Sequence, residues 1–191
     1  MKKLLIVFIL AMVFLCGLAL AAEEPTGFKN AKWGMTIDQA HDLEILVEKT
    51  GFLGDTVVMF RGRGETIGNI GVTTSYFFYS STCKKDGGYK DCLDAQPKLG
   101  GVLIKVILPH EAQTILSALI EKYGEPITKQ LKNVYGNTIG SSYKWMVGKV
   151  MISFSLNQAK RDYILQYNYG PICGVAIEKD KEDKDKSKKD L

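Results

Sequence analysis

Three cysteines carry the most reactive side chains of this sequence downstream of its apolar N-terminus. Cys83 and Cys92 bracket the polar run KKDGGYKD, whose Asp86-Gly87-Gly88 segment is typical of a tight turn. A hairpin at this turn brings the two sulfurs together, so we predict a Cys83–Cys92 disulfide that stabilises the fold by about 2–3 kcal/mol. The alternative is that either cysteine pairs with Cys173. In each case one thiol stays unpaired; a free Cys173 is buried, cross-linked to another chain or reactive, and burial is the commonest fate.

Sequence patterns for other kinds of catalytic or metal chemistry are missing. His41 and His110 are the only histidines and lie far apart, and the sequence has no CxxC, HExxH, CxxCH or GxSxG. The Arg61–Gly64 loop, RGRG, lacks the glycine spacing of a dinucleotide fingerprint, and no helix pattern follows it. We therefore predict no catalytic residue, no metal ligand and no cofactor.

The N-terminus has the layout of a secretory signal peptide. Two lysines precede an uncharged apolar run, Leu4–Leu20, and the run ends in a small-x-small site before Glu23. We predict cleavage after Ala21, with cleavage after Ala22 and an uncleaved membrane anchor as the alternatives. The chain is therefore expected to be exported to the periplasm or beyond, with membrane contact only through this segment if it stays uncleaved.

The C-terminus and the net charge limit the possible partners. Glu178–Leu191 has no apolar residue before its last position, and we predict that it is a disordered, charged tail. The formal charge of +4 includes Lys2 and Lys3, so the chain after residue 21 carries about +2. This small excess argues against nucleic acid as a partner. Residues 22–177 remain as a single domain.

Two segments show helix signals. Pro109–Pro126 places its apolar residues at helical spacing, and Gly124 with Pro126 ends the pattern, which predicts a helix over about 110–123. Thr36 followed by Gln39 forms a capping box and predicts a shorter helix over about 37–43.

Most of the other patterned segments favour strands. Residues 43–50 fit a helix or a strand equally, and Ser81–Leu99 reads as a polar loop insertion. The clearest strand patterns, with apolar and polar residues alternating in several of them, are 56–60, 72–80, 102–108, 127–134, 142–146, 150–156 and 163–169. These segments predict an α+β fold in which an antiparallel sheet is covered on one face by the two helices.

Aromatic residues on two of these strands are candidates for a binding surface. Tyr76 and Phe78 share one side of the first strand, and Tyr163 and Tyr167 share one side of the last. They either fill the core, which is the more frequent outcome for aromatic strand residues, or form a recognition patch or pocket.

Several short motifs together resemble known proteins. They are Lys32–Thr36 (KWGMT), Leu119–Pro126 (LIEKYGEP), Trp145, Ile152–Phe154 (ISF) and Tyr163–Tyr167 (YILQY). The chain resembles a broad group of uncharacterised exported bacterial α+β proteins and is more distantly similar to the BamE (SmpA/OmlA) and β-lactamase-inhibitor-like modules. Unlike the BamE-like lipoproteins, it has no small residue just before Cys16, so this cysteine does not fit a lipid-attachment site. The resemblance implies an envelope location and helices over an antiparallel sheet, and it implies no catalytic residue.

Three functional hypotheses follow. The first is a non-enzymatic exported domain that binds another envelope protein through a sheet face or through the Cys83–Cys92 loop. The second is a carrier of small molecules or lipids with an aromatic-lined pocket. The third and least favoured is an enzyme that depends on Cys173.

Overall fold

The computed structural model describes residues 22–53, 57–80 and 96–174, with the backbone alone for 48–53. Three predicted features lie outside these ranges: the signal peptide with its cleavage site at Ala21, the Cys83–Cys92 loop and the tail after Glu178. They therefore remain predictions. Within the described ranges, no helix has both the length and the apolar character needed to span a bilayer.

Two helices and eleven strands are assigned within the described ranges. The helices are α1 (Ile37–Asp42) and α2 (Pro109–Tyr123), and residues 170–174 are also helical. The strands are β1 (Gly27–Phe28), β2 (Ala31–Lys32), β3 (Leu46–Leu53), β4 (Val57–Gly62), β5 (Glu65–Ile67), β6 (Ile70–Tyr79), β7 (Lys98–Val106), β8 (Ile127–Lys132), β9 (Thr138–Val147), β10 (Val150–Asn157) and β11 (Asp162–Tyr169). The α+β class is as predicted, with antiparallel sheet as its main part.

Nine of the strands form one antiparallel sheet, and its two halves have the same order of elements. The strand order is β3-β4-β6-β7-β11-β10-β9-β8, and β5 pairs with β6 beside this path. Each half of the sheet is a helix followed by four strands: α1 precedes β3, β4, β6 and β7, and α2 precedes β8 to β11. The last strands of the two halves, β7 and β11, pair antiparallel at the centre. The two halves therefore share one order of elements and meet through their last strands.

Local sequence signals explain where both helices begin and end. The Thr36 hydroxyl accepts a hydrogen bond from the Gln39 amide at 3.3 Å, and the Gln39 side chain accepts one from the Thr36 amide at 2.9 Å, which confirms the predicted capping box. Pro109 occupies the first turn of α2, and Gly124 ends it at a φ of +79°, where a side chain would be strained. The Trp145 indole then donates to the Gly124 carbonyl at 2.7 Å, so β9 holds the C-terminal end of α2.

One hydrophobic core joins the strands and the helices. Buried side chains alternate along β10 and β11 and along most of β6 and β7, as the pattern predicts, except that β6 also buries Phe77 and β7 buries residues 99–102 without interruption. The α2 stripe lies in the same core through Ala112, Ile115, Leu116 and Leu119, and α1 contributes Ile37 and Ala40. Each fully buried leucine or isoleucine stabilises the fold by about 1.5–3 kcal/mol relative to an exposed one.

The structure also settles several boundaries that the sequence left open or misplaced. Residues 46–53 form strand β3, so the ambiguous segment does not continue the first helix. Strand β7 begins at Lys98 and includes the last two residues of the predicted 81–99 loop. The short strand β5 was not expected, because its three residues take strand geometry only by pairing with β6.

Candidate binding surfaces

The aromatic residues singled out in the sequence lie in the core. Tyr76 is 1% exposed, Phe78 0%, Tyr163 5% and Tyr167 9%. They belong to the rows that alternate toward the buried side of the sheet, where the Tyr76 hydroxyl donates to Glu65 Oε1 at 2.5 Å. A partner protein cannot reach Tyr76, Phe78 or Tyr163, so a recognition surface has to lie elsewhere. Tyr167 also lines a cleft, described below.

We call the opposite side of the sheet the outer face. The strand register determines which residues lie on it. Two rows of directly opposed residues cross it. The first is Arg61, Ser75, Leu103, Gln166, Ser153, Lys144 and Ile127, and the second is Thr73, Lys105, Ile164, Ser155, Ser142 and Lys129. None of these thirteen side chains is buried, although the strands that carry them include the two at the centre of the sheet.

The outer face combines neutral polar and apolar side chains with an excess of positive charge. Four cations lie in its two rows: Arg61, Lys105, Lys129 and Lys144. Asp162 adds a carboxylate, which lies 2.8 Å from the Lys105 ammonium and neutralises it. Apolar contact area comes from Leu103, Ile164, Met151, Met146 and Ile127, of which Ile127 is 72% exposed and Met146 61%. This surface offers a few positive charges around a flexible apolar patch, a composition that suits protein contacts.

Cys173 is buried and held by its neighbours. It lies in the helical residues 170–174 after β11, is 6% exposed, and donates from Sγ to the Gly100 carbonyl at 3.0 Å. Burial raises the pKa of its thiol above the ordinary value, and this effect outweighs the hydrogen bond from Tyr79, which lowers the pKa. A buried thiol that resists ionisation is a poor nucleophile.

The close packing around Cys173 depends on a glycine. A side-chain carbon placed on Gly100 would lie 2.6 Å from Ile172 Cγ2 and 2.8 Å from Tyr79 Cδ2, both shorter than van der Waals contact allows. Burial, followed by the contact with Cys173, also raises the pKa of the Tyr79 phenol. Gly100 therefore lets residues 170–174 pack directly onto β7.

An apolar cleft lies between α2 and the turn that joins β5 to β6. Its volume is about 510 Å³, and its walls are mainly Phe28, Ile67, Ile70, Ile115, Leu119 and Tyr167. A second, more polar cleft of about 380 Å³ adjoins it and shares Phe28, Lys122, Tyr123 and Tyr167. The sequence did not indicate this site for two reasons. Lys122 looks like an ordinary solvent-exposed charge on the polar face of a helix, and the other walls come from segments that are distant in the chain.

The Glu65 carboxylate, near this region, has a hydrogen-bond partner for only one of its two oxygens. Glu65 accepts from Tyr76 through Oε1, whereas its Oε2 has no hydrogen bond and lies 3.9 Å from the Lys29 ammonium. Burial and the Glu65 carboxylate both raise the pKa of Tyr76, so its phenol stays protonated and remains a donor. In the part of the chain that the structure describes, no three His, Cys, Asp or Glu residues are grouped closely enough to hold a metal ion.

Comparisons with known proteins add no relative to this description. No protein-family model, no curated protein and no solved structure matches the chain. A function therefore has to be inferred from the surfaces of the protein itself.

Proposed function

We propose that this chain is an exported, non-enzymatic domain that binds a protein partner of the bacterial envelope through the outer face of its sheet. The observation that carries the proposal is the pair of unburied rows on the side away from the core, one crossing seven strands and the other six. The envelope location rests on the N-terminal sequence and on the resemblance to exported bacterial α+β proteins.

The proposal also places both helices on one face of the sheet. We infer that α1 and α2 lie over the same face of the sheet, because their buried residues share one core with the inward rows of the strands. With both helices on that side, the two outer rows are left unburied, and their neutral polar residues keep this part of the face soluble. Toward the far end of β4 and β6, the same side carries the buried Val57 and Phe77. An antiparallel sheet with one packed face and one wet face is a common arrangement.

Size and charge indicate the kind of partner. Seven strands spaced about 4.8 Å apart span about 29 Å, and six residues along each strand add about 20 Å. The resulting area of about 600 Å² per partner is at the lower end for specific protein interfaces. Arg61, Lys129 and Lys144 have no carboxylate partner among the described side chains. The complementary partner therefore presents acidic residues around an apolar patch.

Site-specific photo-crosslinking in envelope preparations tests this proposal. A photoreactive residue replacing Ser153, at the centre of the outer face, should crosslink one envelope protein, whereas the same residue at Gln113, on the exposed side of α2, should not. Adding Lys144→Glu should abolish that crosslink, because it reverses the charge directly opposite Ser153. The control Lys32→Glu changes an exposed lysine of β2 and should leave the crosslink intact.

Two results would refute the docking role of the outer face. One is equal crosslinking from Ser153 and Gln113, which would mark non-specific contact. The other is a crosslink between two copies of this chain only, which would assign the surface to self-association.

A small-molecule carrier is the second candidate, because the cleft beside α2 is apolar and large enough for a ligand. The third hypothesis, an enzyme that uses Cys173, is disfavoured by the burial of the thiol and its raised pKa. Alkylation of the folded protein tests it: fast, stoichiometric labelling of Cys173 would revive this hypothesis.

Processing and disulfide formation remain part of the proposal. Intact-mass measurement of the exported protein should give an N-terminus at Ala22, as expected for cleavage after Ala21. Peptide mapping without reductant should recover Cys83 linked to Cys92. A Cys173-linked peptide would favour the alternative pairing.

A further inference from the structure

We infer that the apolar cleft beside α2 binds an amphipathic carboxylate, with an acyl chain against the cleft walls and its acid group at Lys122. This inference goes beyond the proposed protein-binding role. It would survive the failure of that role, because the cleft and the outer face share no residue.

The walls of the cleft fit an apolar chain. Ile115, Leu119 and Tyr167 are buried residues of the core whose surfaces form the floor, and Phe28, Ile67 and Ile70 are half-buried around it. A volume of about 510 Å³ lies within the usual range for small-molecule sites, which are mostly apolar with a few placed polar groups. An apolar ligand would remove these side chains from water and strengthen the contact between the β5–β6 turn and α2.

Among the residues that the structure describes, Lys122 is the only charged one that lines the apolar cleft. Its ammonium lies 5.2 Å from the centroid of the Tyr123 ring, and it forms no ion pair with any described carboxylate. It lies at the junction with the polar cleft, where water can reach the head group of a ligand. An unpaired cation at the end of an apolar groove is complementary to a carboxylate attached to an acyl chain.

The adjoining polar cleft carries charges of both signs, so the preference for an acid rests on Lys122. Lys29, in the adjoining cleft, supplies a second ammonium, which lies 3.9 Å from the half-buried Glu65, and Glu23 and Glu24 line the same cleft. Glu24 turns its carboxylate toward Gly148 in the β9–β10 turn. The phenols of Tyr123 and Tyr167 interact at the same place, and burial, followed by the contact with Tyr123, raises the pKa of the Tyr167 phenol.

The length of the groove sets the size of the ligand. Ile115 and Lys122 are seven residues apart on α2, which corresponds to about 10 Å along a helix axis. A medium-length acyl chain spans this distance, whereas the tail of a long-chain lipid would extend beyond the walls. Decanoate is therefore a suitable probe, with decan-1-ol and decyltrimethylammonium as its neutral and cationic counterparts.

Calorimetric titration of the purified full chain with the three probes tests the inference. Decanoate should bind with a stoichiometry of one and more tightly than either counterpart. Ala118→Phe should weaken decanoate by about tenfold or more, since displacing two methylene groups from apolar walls already costs that factor. Ala118 lines the cleft and is exposed, so the variant should fold. Ser117→Phe adds the same ring at an exposed neighbouring position outside the cleft and should leave binding unchanged.

The variant Lys122→Gln tests the contact with the carboxylate of the ligand separately from the contacts with its acyl chain. It should weaken decanoate by about two- to fivefold, as expected for a partly exposed ion pair, and leave decan-1-ol unchanged. Glu121→Gln, a charge change on the same turn outside the cleft, should have no effect on decanoate. The inference fails if decanoate does not bind below its micelle concentration, if Ser117→Phe weakens binding as much as Ala118→Phe, or if decyltrimethylammonium binds better than decanoate.

Discussion

Replacing Gly100 by alanine probes the packing that buries Cys173. The new methyl carbon would lie 2.6 Å from Ile172 Cγ2, which is 0.8 Å less than the 3.4 Å at which ordinary contact begins. Tyr79 on the other side is only 2.8 Å away, so the methyl group cannot avoid both neighbours. Ile172 with residues 170–174, Tyr79 or the backbone of β7 must therefore shift.

The expected destabilisation follows from two opposing effects. Overpacking of this kind costs about 1–3 kcal/mol. The lower conformational freedom of alanine in the unfolded chain offsets about 0.4–1 kcal/mol of this cost. We expect Gly100→Ala to lower the free energy of unfolding by about 1–2 kcal/mol overall. The matched control is Gly71→Ala, in strand β6, where a methyl group meets no atom within 4 Å and only the favourable effect remains.

Urea unfolding and thiol labelling together measure this effect. Alkylation followed by peptide mapping gives the rate at Cys173 alone, and each 1.4 kcal/mol lost from the local packing raises this rate by about tenfold. Ile172→Ala removes the closest clashing atom. The double variant Gly100→Ala/Ile172→Ala should therefore be more stable than the sum of the single effects by at least about 0.5 kcal/mol.

Either of two results would refute the predicted clash between a side chain at position 100 and Ile172. One is a Gly100→Ala variant as stable as Gly71→Ala with an unchanged labelling rate at Cys173. The other is strict additivity between Gly100→Ala and Ile172→Ala, which would show that the two residues do not meet.

Three further perturbations test other parts of the structure. Trp145→Phe keeps the aromatic ring but removes the donor to the Gly124 carbonyl, and urea unfolding should show a loss of about 0.5–1.5 kcal/mol; no loss would mean that this bond does not hold α2. Thr36→Ala should cost about 0.5–2 kcal/mol by removing the cap of α1, whereas Thr36→Ser should cost much less. Because the pKa of Tyr79 is raised in the folded state, the unfolded chain loses this proton first above pH about 10. The contribution of protonated Tyr79 to the free energy of unfolding is therefore fully present below that pH and is lost as the pH rises. In urea unfolding at pH 9–11, Tyr79→Phe should make the loss of stability with pH less steep.

Short-range signals made part of the fold predictable. The capping box of Thr36 and Gln39 and the stop at Gly124 act within a few residues, so the helix limits at Ile37 and Tyr123 agree with the expectation. The turn at Gly148 likewise joins β9 to β10 through two residues, as the sequence indicated.

Other features depended on contacts that the sequence does not display. The segment now assigned to β3 became a strand because it pairs with β4. The glycines at 100 and 101 fell between the predicted loop and the predicted strand, yet they belong to β7, where the lack of a side chain at Gly100 admits Ile172 and Tyr79. The cleft could not be predicted at all, because its walls come from residues 28, 67–70, 114–123 and 165–167.

The sequence by itself determined the class of the fold, the limits of its helices and the alternation of its strands, because periodicity and capping operate over two to four residues. Tertiary structure alone decided which alternating rows are covered. The four consecutive aromatics of β6 could have placed either pair inside, and the register with β4 and β7 puts Tyr76 and Phe78 in the core. Tertiary structure also decided that Lys122 lines an apolar cleft, because that position depends on how α2 packs against segments distant in the chain.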